Sequence, residues 1–261
     1  MNILVVGGYS FIGTHIVNYF IEKNHSVSVI DNLNRRNKRY IVGKHTSFNY
    51  SVNSHKCEKP FKNNKFDAVI HLTNMKGFAN ISGLCEKYCI DKMIVANDTD
   101  ERFTIKNESI FSITYDNIFG PRQNKQNLVS DLINQVLNFE NIKMPGNGDE
   151  IIKLLYVKDV ATMIYNICIG EISENKLNLL IGQSCTVNEI IEILRTEHTI
   201  PIVISSRLND EKNIAIDEKN ESSKFNYYPL AQGIKETYEW YKNIYIKKFN
   251  NWINKNQDYT A

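Results

Sequence analysis

Short aliphatic runs alternate with longer stretches of helical period through the first half of the chain. Residues 4–6, 27–30, 68–72, 93–96 and 110–114 are compact apolar segments, the pattern of strands covered on both faces. Between them, apolar positions at three- and four-residue spacing predict helices over 14–23 and 81–88. This alternation predicts an α/β fold, a doubly wound parallel (Rossmann) sheet. After Pro121 the texture changes. The spacing predicts helices over 128–138, 156–169, 187–195 and 230–249, the last carrying Trp240, with an apolar strand before the second. Further strands are expected at 177–181 and 202–205, and a turn rich in Pro and Gly at 144–148. No internal repeat or low-complexity block interrupts the chain. Residues 1–119 with 151–182 are expected to form the nucleotide-binding core, and 120–150 with 183–261 a smaller C-terminal lobe.

The first strand runs into a glycine turn and then a helix: Gly7, Gly8, Tyr9, Ser10, Phe11, Ile12 and Gly13. Glycines let backbone approach a pyrophosphate closely, and the free N–H groups and positive dipole end of the helix then bind it. The second strand ends in Asp31, eighteen residues after Gly13, followed by Asn32. A carboxylate there suits the two hydroxyls of an adenosine ribose, which points to NAD. Two features depart from the usual turn. Ser10 stands where a middle glycine is expected, and Tyr9 before it is bulky. A serine hydroxyl can donate to a phosphate, but its Cβ narrows the approach.

Composition adds limits. The 261 residues are enough for one sizeable core or a large domain with a smaller one attached, and 42% hydrophobic with 23% charged is ordinary for a globular chain. No apolar run approaches the roughly 20 residues that cross a bilayer. The first strand begins at Asn2, which leaves no room for a signal peptide, so a cytoplasmic location is expected. A net charge of +2 gives no reason to expect nucleic acid or acidic membranes as partners. Locally, Arg35, Arg36, Lys38 and Arg39 follow Asp31. They read either as a grip on the 2′-phosphate of NADP or as a solvated loop. Five cysteines argue against a disulfide framework, and Cys85 and Cys89 have no histidine or further cysteine placed to complete a metal site, so both are expected to pack on a helix face.

Several segments together resemble one family, the extended short-chain dehydrogenase/reductases that include the NAD-dependent nucleotide-sugar epimerases and dehydratases. VVGGYSFIG is similar to that family's TGGxGFIG, VIDNL to VDNL, and FDAVIHLTN to the FDxVxHLAA strand that flanks the cofactor, which brings Leu72 to the site. YDNIFGPRQ, PGNGDEIIKLLYVKDVA, SRLND and the tail YYPLAQGIKETYEWYKN match later family segments in the same order. The resemblance implies a nucleotide-sugar-like small molecule as ligand, with Asn117 where the family holds a substrate phosphate and Arg207 and Asp210 of retained type.

The resemblance also implies a Ser or Thr at the end of the fifth strand and a Tyr-x-x-x-Lys on the next helix, with Tyr as acid/base and Lys lowering its pKa. Only ten residues separate Thr99 from Ile110, too few for an average helix of about 11–12 and two connections. No tyrosine occurs between Cys89 and Thr114. The dyad helix therefore reads as deleted. Tyr88 with Lys92 and Tyr238 with Lys242 repeat the spacing and read as coincidences. Positions that hold arginine in the family are Thr114 and Ile152.

Three functions follow: an NAD-binding protein without the family's redox chemistry, an enzyme rebuilt around Thr99, Lys106, Tyr115 and Asp116, or a remnant whose turn is filled by Tyr9. Family dimers pack the dyad helix with the helix before the fifth strand. Loss of the first implies a monomer, or a dimer through another surface.

Overall fold

The computed structural model describes residues 1–32, 37–73, 77–97, 110–115, 117–123, 127–173, 176–178, 182–198, 204–208 and 225–256. In chain order the first elements are β1 (Asn2–Val6), α1 (Phe11–Glu22), β2 (Ser26–Ile30), β3 (Thr46–Phe48), α2 (Glu58–Asn63), β4 (Ala68–His71), α3 (Phe78–Lys87), β5 (Met93–Asn97) and β6 (Ile110–Thr114). Then come β7 (Ile118–Phe119), α4 (Leu128–Leu137), β8 (Ile142–Pro145), β9 (Ile151–Tyr156), α5 (Val157–Ile169) and β10 (Lys176–Asn178). The last are β11 (Gln183–Thr186), α6 (Val187–Glu197), β12 (Ile204–Leu208) and α7 (Leu230–Asn256).

The chain divides into two compact units, Met1–Asp116 with Val157–Leu180, and Asn117–Tyr156 with Ile181–Ala261. The first contains a seven-stranded sheet in the order β10-β6-β5-β4-β1-β2-β3. Every pairing in it is parallel, from Ile3↔Ala68 and Val5↔Val29 at the centre to Met93↔Ile110 further out. The strand order reverses between β1 and β4, the place where a doubly wound sheet opens a crevice at its carboxyl edge.

Alternation along β1 explains the layers. Leu4 and Val6 join Val69, Met93, Val95, Phe61 and the α3 residues Ile81, Leu84 and Cys85 in one buried cluster. Ile3 and Val5 point to the opposite face by the pleat and are equally buried. On α1, Ile16, Val17 and Phe20 are fully buried, and Phe20 and Tyr19 meet Tyr165 of α5 edge to face at 5.5 and 5.4 Å. The Lys92 ammonium donates to the carbonyls of Ile167 and Cys168 at 3.2 and 3.0 Å, capping the negative end of α5.

In the second unit, β11 pairs antiparallel and β7 parallel with β9, and β12 pairs with β8. The helix α6 buries Val187, Ile190, Ile191 and Leu194, and Thr186 and Glu189 form a reciprocal cap at its start. Tyr156 and Tyr228 both donate to the Glu236 carboxylate, at 2.6 and 2.5 Å.

The division corrects the boundaries expected from sequence. The stretch 151–156 was assigned to the nucleotide-binding core, but as β9 its backbone pairs with β7 and β11, so it and residues 117–119 belong to the second unit. Cys89 is a second correction: it lies just past α3, exposed, with φ of 50°, whereas Cys85 is buried and burial pushes its thiol up to about 12. No described helix is long and apolar enough to cross a membrane.

Candidate dinucleotide-binding site

The turn after β1 is built so that three glycines do three different things. Gly7 has φ of 83°, a left-handed conformation that favours glycine, and its N–H donates to the Ile30 carbonyl at 2.9 Å. A Cβ on Gly8 would stand 2.8 Å from Val29 Cγ1, where the turn crosses β2. At Gly13 a Cβ would lie 2.4 Å from the Gly7 carbonyl oxygen and 2.8 Å from Gly8 Cα, so α1 touches the turn backbone to backbone.

Ser10 is the N-cap of α1. Its hydroxyl accepts from Gly13 N–H at 3.0 Å, its own N–H donates to Gly7 O at 3.0 Å, and its carbonyl takes Thr14 N–H at 3.1 Å. The serine thus replaces the expected glycine with a cap. Helix geometry then leaves the N–H groups of Phe11 and Ile12 without intrahelical acceptors, at the positive end of a twelve-residue helix whose first turn holds no acid. Such a helix start suits an anion.

Beside it, Asp31 leaves β2 with its N–H on the Phe48 carbonyl at 3.1 Å, and its carboxylate accepts from Tyr9 N–H at 2.9 Å. The Tyr9 side chain, 5% exposed, runs to β3. Its hydroxyl donates to Ser47 Oγ at 2.6 Å and stands 3.1 Å from His45 Nε2, while the Lys38 ammonium lies 5.8 Å from its ring centre. Burial, with a smaller contribution from the Lys38 charge, holds the His45 pKa below its ordinary value against a hydrogen bond to the Gly43 backbone. Asn32, next to Asp31, is exposed.

At the end of β4, His71 is fully buried with Nε2 3.0 Å from the Thr73 hydroxyl, and Leu72, half-buried, donates its N–H to Val6 O at 2.9 Å. Tyr115, directly after β6, is 8% exposed. Asn117 belongs to the second unit, where it adopts φ of 47° and its carbonyl accepts from Leu155 N–H at 3.3 Å. Arg207 falls in β12 opposite Met144, and Ile152, on β9, is buried. Arg35, Arg36, Thr99, Lys106, Asp116 and Asp210 lie outside the described residues.

Neither repeated Tyr-x-x-x-Lys spacing forms a dyad. Tyr88 donates to Glu58 at 2.9 Å while Lys92 caps α5. Tyr238 meets His198 Nδ1 at 2.8 Å and Lys242 pairs with Glu239 at 2.9 Å. His45 and Ser47 escaped sequence reasoning because nothing local ties them to a turn 36 and 38 residues away.

The sequence profile of the NAD dependent epimerase/dehydratase family matches residues 3–97 and, in a second overlapping stretch, 83–171. The chain belongs to this family. Membership accounts for the glycine turn, the acid after β2 and the parallel sheet together. A Methanocaldococcus jannaschii relative, named provisionally as a UDP-glucose 4-epimerase, is 25% identical over 92% of this chain and 98% of its own length. Among solved structures, the UDP-glucose 4-epimerase of Thermotoga maritima with UDP-glucose superposes with a TM-score of 0.72 at 20% identity, over 94% of this chain and 99% of that one. The Thermus thermophilus UDP-glucose 4-epimerase in complex with NAD gives a TM-score of 0.70 at 19% identity, over 93% and 99%. These likenesses are of fold.

Proposed function

We propose that this chain binds NAD in the turn after β1 and does not carry out its family's Tyr/Lys redox chemistry, serving as a cofactor-dependent binding or regulatory protein. One observation carries the second half of that reading. β5 and β6 are adjacent and parallel over five residue pairs, Met93↔Ile110 to Asn97↔Thr114, and only residues 98–109 connect them. Five strand residues rise about 16 Å, which a return helix covers in about 11 residues, before the connections at either end. Twelve residues are too few for both. The alignment with the M. jannaschii relative runs over 303 positions and takes in 92% of this chain's 261 residues, about 240, so this chain is the shorter of the two by about 60 positions.

The residues present suit the cofactor. Gly7 supplies the left-handed turn and Gly13 lets the start of α1 close onto it, Phe11 and Ile12 N–H would meet the pyrophosphate, and Asp31 the adenosine ribose. NAD, when bound, supplies a hydride acceptor; the chain's own residues bind and orient it. With its ring engaged at β3, Tyr9 gives little support to the reading in which it fills the turn. The T. maritima relative's UDP-glucose makes a nucleotide sugar the candidate second ligand. Ile152, buried where the family has a phosphate-binding arginine, predicts weak affinity for it.

Thermal-shift titration tests the cofactor. Ligand at 100 times its Kd stabilises a fold by about 2.7 kcal/mol, on the order of 5–10 °C for a chain of this size. NAD is expected to give that shift and NADP much less, because the Asp31 carboxylate repels a 2′-phosphate. No shift with either would overturn the reading, and a larger shift with NADP would transfer the role to Arg35 and Arg36.

The same shortening bears on assembly. On α3, Ile81, Leu84 and Cys85 turn inward, while Ala79, Gly83, Glu86 and Lys87 are exposed. A face of small and charged residues on a ten-residue helix is a poor source of the roughly 1,200–2,000 Å² that a stable interface buries. Light scattering at micromolar concentration is expected to give a monomer, or a dimer that survives Gly83→Arg. A dimer abolished by Gly83→Arg would contradict this.

A further inference from the structure

The polar contacts of the turn gather on one side of the sheet. A sheet ordered β6-β5-β4-β1-β2-β3 has two mononucleotide-binding halves, β1 to β3 and β4 to β6. The first half carries the contacts described above. Its glycine turn and helix start offer the Phe11 and Ile12 N–H groups, and Asp31 is oriented by Tyr9 N–H at 2.9 Å. Tyr9 in turn is pinned to the edge strand β3 through Ser47 at 2.6 Å and His45 at 3.1 Å. In the second half, twelve residues, 98–109, separate β5 from β6 in sequence. At the end of β4 it presents the aliphatic Leu72, and the Thr73 hydroxyl there is already 3.0 Å from buried His71.

We propose that this is an ADP-ribosyl site: it holds the adenosine, its ribose and the pyrophosphate, and does not read the nicotinamide or its redox state. The inference rests on the dinucleotide-binding reading above. NAD+, NADH and ADP-ribose share the recognised moiety, so they bind alike, and the chain responds to their combined concentration rather than to the ratio of oxidised to reduced cofactor. Tyr9 is the positioning residue. Its N–H fixes the Asp31 carboxylate for the ribose hydroxyls, and its hydroxyl, held by Ser47, fixes the backbone that carries that N–H.

Calorimetric titration of the whole chain with NAD+, NADH, ADP-ribose and nicotinamide mononucleotide tests this. The first three are expected to have Kd values within about fivefold of one another, a difference of about 1 kcal/mol, and the mononucleotide to give no binding heat. Binding of NAD+ more than about fivefold tighter than ADP-ribose, or any saturable binding of the mononucleotide, would overturn the inference while leaving the dinucleotide reading intact. Absence of binding by all four would overturn both. Tyr9→Phe, which removes the hydroxyl that meets Ser47 and His45, is expected to weaken NAD+ and ADP-ribose by the same factor, about 2–10-fold. Should that variant fail to fold, Ser47→Ala tests the same bond from the other side. Loss confined to NAD+, or no loss in either ligand, would contradict the role given to Tyr9.

Discussion

Mixed with NAD and a panel of sugar nucleotides, the purified chain is expected to produce no NADH in a single-turnover absorbance measurement. General acid/base groups typically contribute about 10²–10⁴-fold, and a lysine that also positions the cofactor adds to the loss when both go. The stretch 98–109 contains Thr99 and Lys106 but no tyrosine, and both lie outside the described residues. Tyr115 is the nearest tyrosine after it, buried at the carboxyl end of β6, the edge of a parallel sheet where ligands bind. It is therefore the first residue to test for a rebuilt site. NADH formation above background that is abolished by Tyr115→Phe would sink the non-catalytic reading and establish the rebuilt one. NADH formation that survives Tyr115→Phe would also overturn it, and would move the chemistry to Thr99, Lys106 or Asp116.

The sheet was legible because strands covered on both faces leave a strong sequence mark. Residues 3–6, 27–30, 68–71 and 93–96 are almost wholly buried and almost wholly aliphatic, and the strand at 110–114 coincides with β6. Elements with one wet face left less. β3 is three residues long with two of them exposed, and α2 is six residues with Pro60 inside it; neither carries a period long enough to read. The turn expected from 144 begins only after Pro145, since a proline can end a strand that uses its carbonyl but not an N–H. The terminal helix runs to Asn256 rather than 249, through exposed Phe249 and Trp252, which an amphipathic pattern had no reason to include.

The site divides in the same way. Its glycines were legible because backbone geometry dictates them, with Gly7 and Gly13 in the demanding positions, and Asp31 because it directly follows the second strand. Tyr9 and Ser10 were read from sequence as departures from the usual turn, without the contacts that the fold gives them. Their roles depend on partners: a cap on Gly13 N–H for Ser10, and for Tyr9 a strand edge 38 residues on. Local sequence specifies the cap in principle, because Ser is a favoured N-cap, but the long-range clasp has no signal until the chain has folded.

Gly13→Ala is expected to destabilise the chain by about 3 kcal/mol, the upper end of ordinary overpacking, and to lower Tm by about 6–12 °C. The added Cβ would sit 2.4 Å from the Gly7 oxygen and 2.8 and 2.9 Å from Gly8 Cα and C, all of them backbone atoms with no rotamer to give way. Relief requires α1 to lift from the turn, and α1 is anchored to the sheet by Ile16, Val17 and Phe20, each fully buried. Such a lift would also displace the Phe11 and Ile12 N–H groups, so NAD binding should weaken in step with stability. Gly83→Ala is the matched control: it too lies inside a helix, but nothing stands within 4 Å of its Cβ position. There the substitution reduces the freedom of the unfolded chain without a clash and is expected to stabilise by about 0.5–1 kcal/mol. Urea denaturation of the two variants beside the parent chain measures both. Gly13→Ala within about 0.5 kcal/mol of the parent would mean that the helix does not pack on the turn as described, and the anion site built on that contact would fall with it.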